Sequence, residues 1–309
     1  MREKGQGTVE WVGLLAVIAL LFLAMVAAGA RVPGEGLARA VASRLLCAVA
    51  LAEQCGDEPT LIATYGDEVG RLVKRHAPAL LMERGSRALP VDFRRCREPA
   101  CADGSDRGLV ARTDGGLPVT AFVRVIDCRG GSARFAGAAA TSGATCAGPR
   151  RGSLYIQYWF YYADSATLRG VPVAAAAGYH RDDWESLQIR IRPGGEVDSR
   201  ASSHHGYNHL RGIANWGSDA GIGPLRDVSE ALGARPRNGW GPAGGLLLVS
   251  GGSHAGNAGG FPRIDRIVPG ANIRLIPLEP IAATSHHRFA VSPPWRKHAW
   301  ANPEAAGTD

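Results

Sequence analysis

Six consecutive residues, His180-Arg181-Asp182-Asp183-Trp184-Glu185, place one imidazole and three carboxylates side by side. Carboxylates this close repel one another, and burial adds a desolvation cost to each charge. A bound divalent cation offsets both, so the run is a candidate metal site. Asp164, His180, Asp183 and Glu185 are the candidate ligands, an oxygen-rich set with one nitrogen. Such a set suits hard cations, Ca²⁺ or Mg²⁺ first and Mn²⁺ with them; Zn²⁺ also accepts carboxylate and imidazole.

These side chains need strands to position them. In Leu154–Asp164 the residues Leu154, Ile156, Tyr158, Phe160, Tyr162 and Asp164 share one face, so Asp164 ends an apolar column. In the run that follows, Asp183, Glu185, Leu187, Ile189 and Ile191 share a face, and again carboxylates head a core column. Adjacent strands would bring Asp164, Asp183 and Glu185 to one mouth, with His180 in the turn above them.

The rest of the chain reads as mainly β, a β-sandwich. Strands are expected at 119–127, 153–163, 184–192, 246–250 and 272–278, between Gly, Pro and Asp clusters. Residues 103–118, 129–152 and 212–245, rich in Gly and Ala, read as long surface loops. Leu37, Val41, Leu45, Ala48 and Leu51 predict an amphipathic helix over 36–54, and Val69, Leu72 and Val73 predict a short one over Glu68–His76, stopped by Pro78.

Trp11–Ala30 is an apolar run without a charge, and about 20 such residues span a bilayer. Arg2 and Lys4 precede it, which predicts a single-pass anchor with a cytoplasmic N-terminus and an extracytoplasmic main domain. The six cysteines agree with export: Cys47–Cys55, Cys96–Cys101 and Cys128–Cys146 are the simplest pairings, and no C-x-x-C spacing argues for zinc. The organisation expected is a leader and transmembrane helix over 1–31, a helical, disulfide-containing stalk over 32–76 and the metal-bearing sandwich over 77–309. The net charge of +7 comes almost wholly from dispersed arginines. Without an aromatic-interleaved basic stripe, nucleic acid is excluded as a partner.

Two resemblances extend this reading. Gly5-Gln6-Gly7-Thr8-Val9-Glu10-Trp11 resembles the leader of Flp-type pilins, with Gly5 before the cleavage point and Glu10 at the head of the retained helix. That likeness implies pilus or secretion components as partners. Gly178–Glu185 resembles the G-H-R-H-D-W-E heptad of NLP-type necrosis-inducing proteins and the G-D-W-E motif of a vacuolar-sorting-associated family. Tyr158–Asp164, Ala201–Tyr207, His76–Asp92 and Gly252-Ser253-His254-Ala255 match further segments of these families, so the likeness covers roughly residues 75–300. It implies a sandwich with Asp164, His180, Asp183 and Glu185 around a cation. It also implies a sugar or lipid headgroup ligand, with His204, Tyr207 and Asp182 lining its site. Asp182 replaces the heptad's second histidine, and the 165–177 linker is longer than the NLP pattern.

Other features read as structure. Trp159 and Trp184 fall on strands and belong to the core, whereas Trp216 and Trp240 sit in Gly-rich loops as platforms or anchors. Gly251–Ala255 lacks the second glycine and the following helix of a nucleophile elbow. The leading expectation is therefore a membrane-anchored binding module using a cation. The alternatives are a metal-dependent hydrolase, with His180 or His204 as base, and a minor pilin-like surface component.

Overall fold

Tyr155, Gln157, Trp159 and Tyr161 alternate with Leu154, Ile156, Tyr158, Phe160 and Tyr162, and none is more than 1% exposed, so both faces of this strand are covered. The computed structural model describes residues 57–83, 86–104, 112–130, 144–166, 179–203, 206–208, 239–257, 264–278 and 288–305. Within them the chain is mainly β, built from two mixed sheets with a few short helices.

The strands are β1 (Ala79–Glu83), β2 (Thr120–Asp127), β3 (Leu154–Ala166), β4 (Tyr179–Ile191), β5 (Val197–Ser203), β6 (Gly206–Asn208), β7 (Gly241–Pro242), β8 (Leu246–Val249), β9 (Gly256–Asn257), β10 (Ile264–Val268) and β11 (Arg274–Pro277). The larger sheet runs β11-β2-β3-β4-β5-β6 with β7 paired to β5, and the smaller runs β10-β1-β8-β9. β3 and β4 form its longest antiparallel ladder, from Leu154 opposite Ile191 to Ala166 opposite Tyr179. Helices α1 (Asp57–Tyr65) and α2 (Asp67–Arg75) precede the sheets, while α3 (Pro99–Ala102) and α4 (His298–Ala301) are single turns.

Leu80, Met82, Leu247, Val249 and Val268 of the small sheet meet Val123, Val125, Ile156, Tyr158, Leu187 and Ile189 of the large one in a shared core. Leu61, Tyr65, Val69 and Val73 of α1 and α2 join it. The helices are pinned by two phenols: Tyr65 donates to the Val123 carbonyl at 2.7 Å and Tyr158 to the Val73 carbonyl at 2.5 Å. On the other face of the large sheet, Phe122, Trp159, Tyr161, Trp184 and Tyr207 pack under Val91, Phe93, Ala299 and Trp300. Irregular chain and the single turn α4 thus form a third covering layer.

The expected strands correspond to β2, β3, β4, β8 and β11, and the helix expected at Glu68–His76 is α2. One difference matters: β3 runs on to Ala166 and β4 starts at Tyr179, so His180–Asp183 lies in a strand rather than in a turn. The two ends pair with each other, Ser165 opposite His180, which satisfies backbone groups that a turn would have left to water. The disulfides Cys96–Cys101 and Cys128–Cys146 form as expected. Cys47, Cys55, Gly5, Glu10, the apolar run, the 36–54 helix and His204 lie outside the described residues. Among the described residues no helix is long and apolar enough to cross a membrane.

Candidate functional site

Asp183 lies on β4 opposite Tyr162 of β3, with a residue exposure of 7%, and a carboxylate so enclosed needs a donor. The donor is His254, itself 3% exposed, in the turn between β8 and β9. Its Nδ1 stands 3.0 Å from Asp183 Oδ2. A carboxylate oxygen only accepts, so Nδ1 carries the hydrogen and, in the neutral ring, Nε2 keeps the lone pair. The imidazole also stacks on Tyr162, with centroids 4.0 Å apart and an interplanar angle of 7°. The Asp183–His254 contact therefore joins the large sheet to a turn of the small one.

The turn is built for this. Gly252 (φ 86°) and His254 (φ 55°) both occupy left-handed backbone, which costs a non-glycine residue and is seen where surrounding contacts enforce it. Here Ser250 N–H donates to the Ala255 carbonyl and His254 N–H to the Ser250 carbonyl, both at 3.1 Å. Gly251 N–H donates to Glu83 Oε2 at 2.8 Å, fixing the turn to β1. Ala166 N–H donates to the Gly252 carbonyl at 2.8 Å, fixing it to the end of β3.

Glu185, two residues along β4, sits opposite Phe160 and accepts from Ser202 Oγ at 2.5 Å. Burial raises the pKa of Tyr162 far above the usual phenol range, and the nearby charges of Glu185 and Asp183 add to the rise. Both carboxylates thus lie near enough to this buried phenol for their charges to act on it. Asp164 lies opposite Arg181, beyond Asp183 along the ladder.

The expected four-ligand cage is not assembled. Among the described residues no group of three His, Cys, Asp or Glu side chains is placed to hold a metal ion. His180 turns back on its own strand, with Nδ1 3.0 Å from the Asp182 carbonyl. Because a carbonyl only accepts, this nitrogen carries the hydrogen. The donor types suit a hard cation, but a cation would have to draw them together.

Asp182 and Tyr207, expected beside a ligand, are occupied structurally. Asp182 has a left-handed backbone (φ 57°), and its carboxylate accepts from Arg97 Nε and Nη2, from Tyr161 Oη at 2.6 Å and from Ala290 N–H at 2.8 Å. Burial alone would raise its pKa, but these donors, Tyr161 foremost, outweigh it and hold the carboxyl below its ordinary value. Tyr207 is fully buried in the outer layer, with the Arg200 guanidinium 4.1 Å above its ring and Ser186 Oγ 3.5 Å from its hydroxyl; burial pushes its pKa up to about 12. Trp240 is an anchor: its Nε1 donates to Glu304 at 2.8 Å beneath Arg190 and Arg200.

Sequence reasoning missed His254 as a partner of Asp183, although the Gly252–Ala255 motif marked the segment. A left-handed histidine has no signature in sequence, and its pairing spans 71 positions. Arg97 was missed for the same reason, its carboxylate partner being 85 positions away.

No protein-family model matches the chain, and no curated protein matches it. Among solved structures it is similar to "NLPPya in complex with glucosamine", with 20% identity, a TM-score of 0.26, and coverage of 46% of this chain and 53% of that one. It is also similar to "NLPPya in complex with mannosamine", with 18% identity, a TM-score of 0.25 and coverage of 46% and 54%. The match spans about half the length of those structures.

Proposed function

We propose that this protein is an exported, membrane-anchored β-sandwich module whose binding site is the mouth around Asp183, Glu185 and His254. Its ligand in this reading is a hydroxyl-rich group such as a sugar or lipid headgroup, with a divalent cation bridging ligand and carboxylates. One observation carries the proposal: a buried carboxylate held by an imidazole whose backbone is forced into the left-handed region, with a second carboxylate near the same phenol. Strain of this kind, enforced by surrounding contacts, is a mark of functional positions. Hydroxyl groups can coordinate a hard cation and also bond to carboxylate oxygens, so one mouth serves both. The amino-sugar complexes of the similar structures set the first ligands to try, glucosamine and mannosamine. Anchoring rests on the apolar run Trp11–Ala30, and recovery of the full chain from membranes washed in high salt or carbonate is its check.

The binding test is thermal unfolding of the full chain with Ca²⁺, Mg²⁺, Mn²⁺ or Zn²⁺ added, alone and with each amino sugar. A cation at about 100 times its Kd contributes about 2.7 kcal/mol, a rise in Tm of about 5–10 °C. Asp183→Asn should remove that rise. If no cation moves the wild-type transition, or if the variant responds equally, the bridging ion is wrong. If neither sugar alters the wild-type signal, with or without cation, the ligand class is wrong.

A further inference from the structure

On the opposite side of β4 from the Asp183–His254 pair, Asp182 opens toward a different feature. Arg97, Glu98, Arg181, Asp182, Arg288 and Phe289 line a cleft of about 500 Å³. Three guanidinium groups and two carboxylates meet there, an excess of one positive charge. Their engagement is unequal. Asp182 is taken up by Arg97 at 2.8 Å, and Glu98 by Arg181 at 2.5 Å. Arg288, exposed at the rim, has no carboxylate partner among the described residues.

The guanidinium of Arg97 is the fixed member. It stacks over Phe289 with its carbon 4.8 Å from the ring centroid, donates to the Arg288 carbonyl at 2.8 Å and is held by both oxygens of Asp182. Phe289 is locked in turn by edge contacts with Phe93, Trp184 and Trp295. Arg181 donates to the Arg97 carbonyl at 3.1 Å as well as to Glu98, so all three arginines are tied to one short stretch of chain. With its Nε–Nη2 edge taken by Asp182, Arg97 offers a fixed positive charge, and the planar fork of Arg288 at the rim matches the oxygens of a carboxylate or phosphate.

We infer that this cleft binds the oxyanion of a small molecule, a carboxylate or a phosphate, between Arg288 and Arg181 and within reach of the fixed charge of Arg97. The site is separate from the Asp183 mouth and does not depend on the reading given to it. The anion completes the charge balance that Asp182 and Glu98 leave short by one.

The test is NMR or calorimetric titration of the full chain at low ionic strength with inorganic phosphate, with galacturonate, and with galactose as the uncharged control. Saturable binding of phosphate or galacturonate with a Kd of about 1 mM is expected, and none by galactose. Phosphate alone binding would identify a phosphate ester as the source, and galacturonate alone a sugar acid; either supports the site. Arg288→Ala removes an exposed rim side chain with no ion pair among the described residues, and should keep the wild-type Tm and weaken binding about tenfold or more. Raising the salt to physiological strength shortens the screening length to about 8 Å and should weaken binding further. The inference is overturned if neither anion binds saturably, if galactose binds as well as galacturonate, or if Arg288→Ala binds like wild type.

Discussion

Asp182 and Asp183 are neighbours with different duties, and as consecutive residues of β4 they send their side chains to different surroundings. Asp183 faces an imidazole and a phenol; Asp182 faces a guanidinium, a hydroxyl and a backbone N–H. The second set favours the ionised carboxyl, so the folded-state pKa of Asp182 lies below its unfolded value. A lowered pKa contributes stability in full above the unfolded value of about 3.9 and loses it as pH falls through the folded one. Asp182→Asn should therefore be destabilised most at neutral pH, and its deficit should shrink below about pH 4. Asp182→Ala, which strands Arg97 as well, should cost about 3–5 kcal/mol at pH 7. Urea midpoints measured from pH 2 to 7 decide this; a constant gap between Asp182→Asn and wild type across that range would show that Asp182 is not the ionised keystone described.

At the scale of elements, the outer face of the large sheet shows what periodicity conceals. Gln157, Gln188, Arg124 and Arg200 fall on that face and are 0% exposed, a pattern that in sequence reads as the wet side of a sandwich. The C-terminal segment changes their environment. The Ala299 carbonyl accepts from Gln157 at 2.8 Å, and the Pro303 carbonyl from Arg200 at 2.6 Å. Trp300 lies 3.4 Å from the Arg124 guanidinium carbon, and Arg200 sits over both Tyr207 and Trp240. Glu304 closes the arrangement by accepting from Tyr155 at 2.6 Å, Arg190 at 2.9 Å and Trp240 at 2.8 Å. Glu304→Ala would leave three buried or half-buried donors short of an acceptor, a loss of about 3 kcal/mol since charge-assisted bonds contribute about 1.5–3 each and are not additive. An unfolding free energy from urea titration within about 0.5 kcal/mol of wild type would show the segment to be ornamental. Strands β2, β3, β4, β8 and β11 were legible because alternating or continuous apolar runs bounded by Gly and Asp mark them. β5 (Val197–Ser203) was not, because its polar residues are buried only through partners outside the strand: Asp198 by Arg190 and Arg192, Arg200 by Gln188 and the Pro303 carbonyl, Ser202 by Glu185.

At the scale of the molecule, two sheets share one core and a buried carboxylate–imidazole contact at its edge. The carboxylate half of that contact was legible: Asp183 and Glu185 head a core column on β4, as the alternation requires. The imidazole half was not, since His254 reaches Asp183 only when the small sheet closes on the large one. This makes the pair a measure of how tightly the sheets are joined. Removing either partner leaves the other buried without its hydrogen bond, so each single substitution should cost about 1–3 kcal/mol. Removing both, in Asp183→Leu with His254→Phe, deletes the mismatch and keeps a ring on Tyr162. The double variant should then lose less than the sum of the singles, with a coupling energy of about 0.5–3 kcal/mol. His254→Phe also carries a backbone cost, because its left-handed conformation costs a phenylalanine more than a histidine, and the cycle cancels that cost since the single and double variants share it. Chemical denaturation of the four proteins gives the coupling directly. Additivity within about 0.3–0.5 kcal/mol would mean that the 3.0 Å contact does not hold the sheets together in solution, and a ligand at Asp183 would then stabilise one sheet rather than the whole fold.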